Sequence, residues 1–137
     1  MRLINVKAQA SLEYLLVFAA AVSFLAVFFV AGTNLVNAGV FFLEAKNAEE
    51  FMDSFETALK EVSVFSAGTA KEMSFSSGND FDLISSKNKV ELILYGKEKT
   101  KSFEFNPGID VMDFSFSGKE INLLLINERN HVSVKNS

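Results

Sequence analysis

QASLEYLLVFAAAVSFLAVFFVAGTNLVNAGVFFL, residues 9–43, decides the fold of this 137-residue chain. Glu13 is the only charged residue in it, and Ser23 is the only polar side chain among the 18 residues from Leu15 to Gly32. As a helix rising about 1.5 Å per residue, those residues would extend roughly 27 Å, close to the roughly 30 Å of a bilayer's hydrocarbon core. The stretch therefore predicts an apolar helix that can cross a membrane.

A short basic segment precedes this stretch. Residues 1–8 carry Arg2 and Lys7 and no acidic residue. Positive charge beside an apolar helix favours the cytoplasmic side, which sends the rest of the chain outward. We interpret residues 1–8 as a leader and not as part of the folded protein. An ordinary secretory signal would instead be cut after its apolar region, and Val36-Asn37-Ala38 is a small-residue sequence of that kind.

The pattern changes at Phe41 to that of a charged amphipathic helix. Apolar residues recur at alternating spacings of four and three, which places them on one face of a helix. Gly68 offers a left-handed backbone position, and no Pro interrupts residues 9–67, so one continuous helix ending near Ser66–Gly68 is predicted, with Gly32 and Gly39 as its weak points. The predicted apolar stripe is Phe41, Ala45, Ala48, Met52, Phe55, Leu59 and Val62.

After Gly68 the apolar residues alternate with polar ones, which predicts short strands. Short connections such as Ser117-Gly118-Lys119 favour antiparallel neighbours in a meander, and Ser76–Asp80 is predicted to be an exposed loop. The expected strands are residues 71–76, 90–95, 101–106, 111–117, 120–126 and 131–135.

The predicted fold class is therefore α+β, with a long hydrophobic N-terminal helix packed on a C-terminal antiparallel β-sheet domain. We divide the chain into a leader (residues 1–8), a transmembrane or filament-core helix (9–40), an amphipathic half of the helix (41–68) and the sheet domain (69–137).

Composition argues against several functions. Seventeen acidic residues against 13 basic ones give a net charge of −4, which disfavours nucleic acid as a partner. The chain has no Cys, and its single His, His131, has only Glu128 as a nearby acid in the sequence. No spaced carboxylate pair or Gly-rich phosphate loop is present. The sequence predicts no enzyme activity, no catalytic residue, no metal site and no cofactor.

The motif Gln9-Ala10-Ser11-Leu12-Glu13-Tyr14, preceded by Lys7-Ala8 and followed by an apolar helix, resembles archaeal type IV pilin-like proteins with class III signal peptides. Ala8 stands where that family often has Gly. The resemblance covers the leader and the first helix. It implies that a prepilin peptidase cuts between Ala8 and Gln9, and that Glu13 becomes the fifth residue of the mature protein.

The resemblance also implies a function. The processed chain would be a structural subunit held in the membrane and then assembled by a pilus machinery into an extracellular filament, with Gln9 and Glu13 as assembly residues and identical subunits as partners. Adhesion would be its purpose. Three alternatives stay open: a membrane-anchored extracellular binding domain that does not polymerise, a minor pilin at the tip or the start of the filament, and a soluble domain released by cleavage after Ala38.

Overall fold

The computed structural model describes residues 2–137, with side chains from Asn5 onward. One helix and five strands follow one another along the chain, and the predicted α+β fold is confirmed. The chain forms two compact units that divide after Val40. The elements are α1 (Arg2–Val64), β1 (Ala70–Ser86), β2 (Lys89–Tyr95), β3 (Thr100–Phe105), β4 (Phe114–Asn127) and β5 (Val132–Asn136).

The first unit consists of the N-terminal part of α1. Every side chain from Asn5 to Val40 is exposed, and the exposed fraction of Phe29 reaches 76%. The hydroxyl of Ser23 donates a hydrogen bond to the carbonyl oxygen of Ala19 at 2.8 Å, and that of Thr33 donates to the carbonyl oxygen of Phe29 at 2.9 Å. Both polar groups are therefore satisfied within the helix. This helix is long and apolar enough to cross a membrane.

The second unit, Phe41–Ser137, packs the rest of α1 on the β-sheet. The predicted apolar stripe is confirmed: six of its seven residues are buried and Phe41 is half-buried. Phe51 and Ala58 are also buried, so the helix presents a wider apolar face than the stripe alone. Facing residues of the sheet complete the core, among them Phe75, Phe81, Leu83, Leu92, Leu94, Leu123 and Leu125.

The sheet is antiparallel throughout, in the order β3-β2-β1-β4-β5. The predicted meander is wrong, because β4 pairs with β1 and not with β3. β1 is long enough to hold β2 on one edge along residues 81–86 and β4 on the other edge along most of its length. Residues 106–113 therefore carry the chain from the β3 side of the sheet back to the free edge of β1.

Two segments expected to be connections lie inside strands. Ser76–Asp80 belongs to β1, and Gly118 belongs to β4. Ser76 pairs with Glu120 and Phe81 with Gly118, so five steps along β1 face only two along β4. The polar and glycine residues therefore mark a β-bulge, which uses the same residue types as a turn. Gly118 accordingly has a positive φ of 147°.

The two ends of β4 contact positions that lie close together on α1. The ring of Phe114 lies 6.3 Å from that of Phe55, while Asn127 hydrogen-bonds to the carbonyl of Val62. A straight strand would extend about 43 Å over the steps from Phe114 to Asn127, whereas the helix rises only about 10 Å from Phe55 to Val62. β4 must therefore curve to reach both helix positions.

Asn127 closes the C-terminal end of α1. The helix ends at Val64, slightly before the predicted Ser66–Gly68, and Gly68 instead adopts its positive φ of 92° in the following turn. The Asn127 side-chain amide donates to the carbonyl oxygens of Val62 at 3.0 Å and Phe65 at 2.8 Å. Carbonyls at a helix C-terminus have no partner within the helix, so this buried side chain supplies it.

We expect Asn127→Ala to lower the free energy of unfolding by about 1–3 kcal/mol, because buried carbonyl oxygens lose their donors. Urea unfolding of the detergent-solubilised full chain, followed by circular dichroism, measures the change. The exposed Asn122 on the same strand provides the control Asn122→Ala. Equal midpoints for the two variants would contradict the proposed role of Asn127.

Candidate processing and assembly site

Ala8, Gln9 and Glu13 all lie in α1 and are exposed. The helix places Gln9 and Glu13 four residues apart, so they share one face with a rise of about 6 Å between them. A new amino group at Gln9 would therefore start the same helix face that carries the Glu13 carboxylate.

The surroundings of Glu13 are apolar. Leu12, Tyr14, Leu15 and Leu16 are each more than half exposed. Among the side chains from Asn5 to Ser137, none forms an ion pair with Glu13. A carboxylate in a membrane-spanning or bundled apolar helix is costly without a partner. Glu13 is thus suited to pair with a cation supplied by another molecule or by the processed chain end.

The peptide bond between Ala8 and Gln9 lies within α1. Ala10 and Ser11 follow the bond, and all four side chains are exposed. The alternative site, Val36-Asn37-Ala38, also lies in α1.

The end of the uncharged stretch is held by two contacts inside the second unit. The ring of Phe41 lies so close to Gly96 that a Cβ there would come within 2.6 Å of it. Ser77, in the β1 bulge, donates its hydroxyl to the Glu44 carboxylate at 2.9 Å. Sequence reasoning missed both contacts, since each joins residues more than 30 positions apart.

A polar cluster links three positions of the sheet. The hydroxyls of Ser117 and Tyr95 donate to the two carboxylate oxygens of Asp82 at 2.6 and 2.7 Å. The Ser117 hydrogen bond, followed by that of Tyr95, lowers the pKa of Asp82 below its usual 3.8. The same bond to Asp82 raises the pKa of Tyr95 above its usual 10.0. The cluster ties β2 and β4 to β1.

The Asp82 cluster predicts an acid-sensitive contribution to stability. Because the folded-state pKa of Asp82 is depressed, the contribution is present above its usual pKa of 3.8 and is lost as the pH falls through the lower folded-state pKa. We expect Asp82→Asn to lower the thermal midpoint at pH 6, and we expect this difference from the wild type to be smaller at pH 2.5. A difference between the two proteins that is the same at both pH values would contradict this.

His131 lies in the turn between β4 and β5. Its Nε2 is 3.1 Å from a carboxylate oxygen of Glu128, whose other oxygen accepts a hydrogen bond from the Ser133 hydroxyl. These contacts are local and fix the turn. His131 therefore contacts Glu128, the nearby acid in the sequence, and helps to fix this turn.

The exposed apolar helix, the exposed Gln9 and Glu13 and the sheet domain are the features from which a role can be argued. No protein-family model matches the chain, and neither does any curated protein or solved structure with which it was compared.

Proposed function

We propose that the chain is a pilin, a structural subunit of an archaeal type IV pilus-like extracellular filament. A prepilin peptidase removes residues 1–8, the helix from Gln9 holds the subunit in the membrane, and the pilus machinery then assembles subunits through this helix. The sheet domain is displayed on the outside of the filament, where it serves adhesion.

The observation that carries the proposal is the apolar part of α1, which is exposed as far as Val40 and begins with the motif Gln9–Tyr14. Such a surface is unfavourable in water and needs either lipid or other apolar helices around it. A pilin uses both environments in turn. In each, the same side chains are removed from water.

Glu13 supplies the register of assembly. After cleavage, the amino group of Gln9 in one subunit pairs with the Glu13 carboxylate of its neighbour. Two such charges about 4 Å apart attract by roughly 4 kcal/mol at an effective dielectric constant near 20, before the desolvation cost is subtracted. Any packing register that leaves Glu13 without a cation is penalised by that cost, so the pair acts mainly on specificity.

Small residues in the helix support close packing. Ala19, Ala20 and Ala21 precede Ser23, whose hydroxyl is bonded to its own helix. Small side chains let helices approach each other where apolarity alone gives no advantage over lipid. This segment is therefore suited to helix contacts in a filament core.

Electron microscopy of material sheared from the surface of producing cells tests the proposal. We expect filaments that contain this chain as their repeating subunit. A chain found only in the membrane fraction, and monomeric after detergent extraction, would establish the anchored binding domain instead. A soluble chain that begins at Gly39 would establish cleavage after Ala38.

A further inference from the structure

Two five-residue segments of the second unit carry concentrated and opposite charge. Residues 49–53, EEFMD, hold three acidic residues and no basic one. Residues 97–101, KEKTK, hold three lysines and one acidic residue. We call them the acidic segment and the basic segment. The three acidic side chains and the three lysines are all exposed: Glu49, Glu50, Asp53, Lys97, Lys99 and Lys101.

The two segments lie on different surfaces of the fold. Phe51 and Met52 are buried against the sheet, and the three acidic side chains that flank them are exposed, so these lie on the side of α1 away from the sheet. The basic segment forms the turn after β2 and the start of β3. β3 is the last strand in the sheet order, so the basic segment marks one lateral edge of the domain.

The ion pairs of the described chain lie outside these two segments. Glu56 pairs with Lys60 on α1, and Lys89 pairs with Glu104 between β2 and β3. Among the described side chains, no ion pair includes a residue of the acidic or the basic segment. Lys101 makes only a cation–π contact, 5.3 Å from the ring centre of Phe103.

The two segments also match in size. Glu49 and Asp53 are separated by one helical turn, a rise of about 6 Å. Lys97 and Lys99 are two residues apart, which limits their Cα separation to about 7 Å. Two carboxylates and two ammonium groups at that spacing can therefore meet pairwise.

A helical filament is built from a heterologous contact, in which one patch of a subunit meets a different patch of the next. We propose that the acidic segment of one copy docks on the basic segment at the β3 edge of a neighbouring copy. This inference rests on the proposed filament function and assigns a contact between sheet domains, separate from the Gln9 and Glu13 pair in the helix. Complementary charge on unlike patches also disfavours contacts between like patches.

Charge exchange tests the contact. We expect Lys97→Glu with Lys99→Glu to reduce sheared filaments at least tenfold, and Glu49→Lys with Asp53→Lys to do the same. A chain carrying all four changes should recover to within about threefold of the wild type, because the attraction is restored with its signs exchanged. Filaments are quantified by immunoblotting of sheared fractions and counted by electron microscopy.

Matched controls reverse exposed charges elsewhere. Lys87→Glu and Glu72→Lys involve exposed residues outside both segments and should leave filament yield unchanged. Thermal unfolding of each variant identifies any loss of folding. The contact would be overturned if the double variants fold and yield as many filaments as the wild type. It would also be overturned if the quadruple variant yields no more filaments than the double variants. Absence of filaments from the wild type would instead overturn the proposed function.

Discussion

Glu13→Val is expected to leave cleavage intact and to reduce surface filaments at least tenfold. Glu13 is the only charge from residue 8 to residue 43, and no described side chain pairs with it. Valine makes the helix more apolar, so membrane insertion is retained. In the proposed filament, assembly would lose the helix interaction that distinguishes the correct register from a slipped one.

Two further variants isolate the role of this carboxylate. Glu72→Val removes an equal charge from the exposed surface of the sheet domain and should assemble normally. Glu13→Asp keeps the charge on a shorter side chain and should retain more filaments than Glu13→Val. Normal filament numbers from Glu13→Val, counted by electron microscopy, would contradict a role of the Gln9 and Glu13 pair in assembly.

Ala8→Phe is expected to leave the chain as an unprocessed precursor in the membrane. The proposed cut follows Ala8, and a large ring replaces the small side chain beside the scissile bond. Without cleavage no amino group forms at Gln9, so assembly fails together with processing. Mass spectrometry of the membrane fraction should find residues 1–8 still attached to nearly all of the variant protein.

Ala38→Phe is the matched control for the cleavage site. It places the same ring in the alternative small-residue sequence and should be processed like the wild type. The reverse result, with Ala38→Phe uncut and Ala8→Phe unaffected, would assign the chain to the secretory pathway with cleavage after Ala38.

Local periodicity was sufficient to predict the helix and its buried face. Ala48, Phe55, Leu59 and Val62 fall on one side of any α-helix, and burial of that side follows from the hydrophobic effect. Phe51 and Ala58 fall at the margin of the stripe. Their burial depends on how far the sheet curves around the helix, which the spacing of apolar residues in α1 does not encode.

The sheet was less predictable because its decisive features join distant residues. Ser76–Asp80 has the composition of a loop, and only its pairing with Gly118 and Glu120 makes it a bulge in a continuous strand. β1 is long enough to pair with both β2 and β4. Its length was not predicted, because the residues of the bulge were interpreted as a loop. Asn127, which caps a helix end 62 residues away, gives no local signal.

The candidate site was predictable to the extent that it is linear. Ala8, Gln9 and Glu13 lie within six residues, and the helix face shared by Gln9 and Glu13 follows from their spacing of four. The contacts of Phe41 with Gly96 and of Glu44 with Ser77 could not be predicted from the sequence, because they join residues that are distant in the chain. Both contacts pack α1 against the β-sheet within the second unit.

The intact mass of the protein sheared from cell surfaces, measured together with the assembly state of the same sample, is the most direct test. The proposal requires polymeric material whose subunits have lost residues 1–8 and begin at Gln9. Dispersed monomers that still carry those eight residues would contradict it.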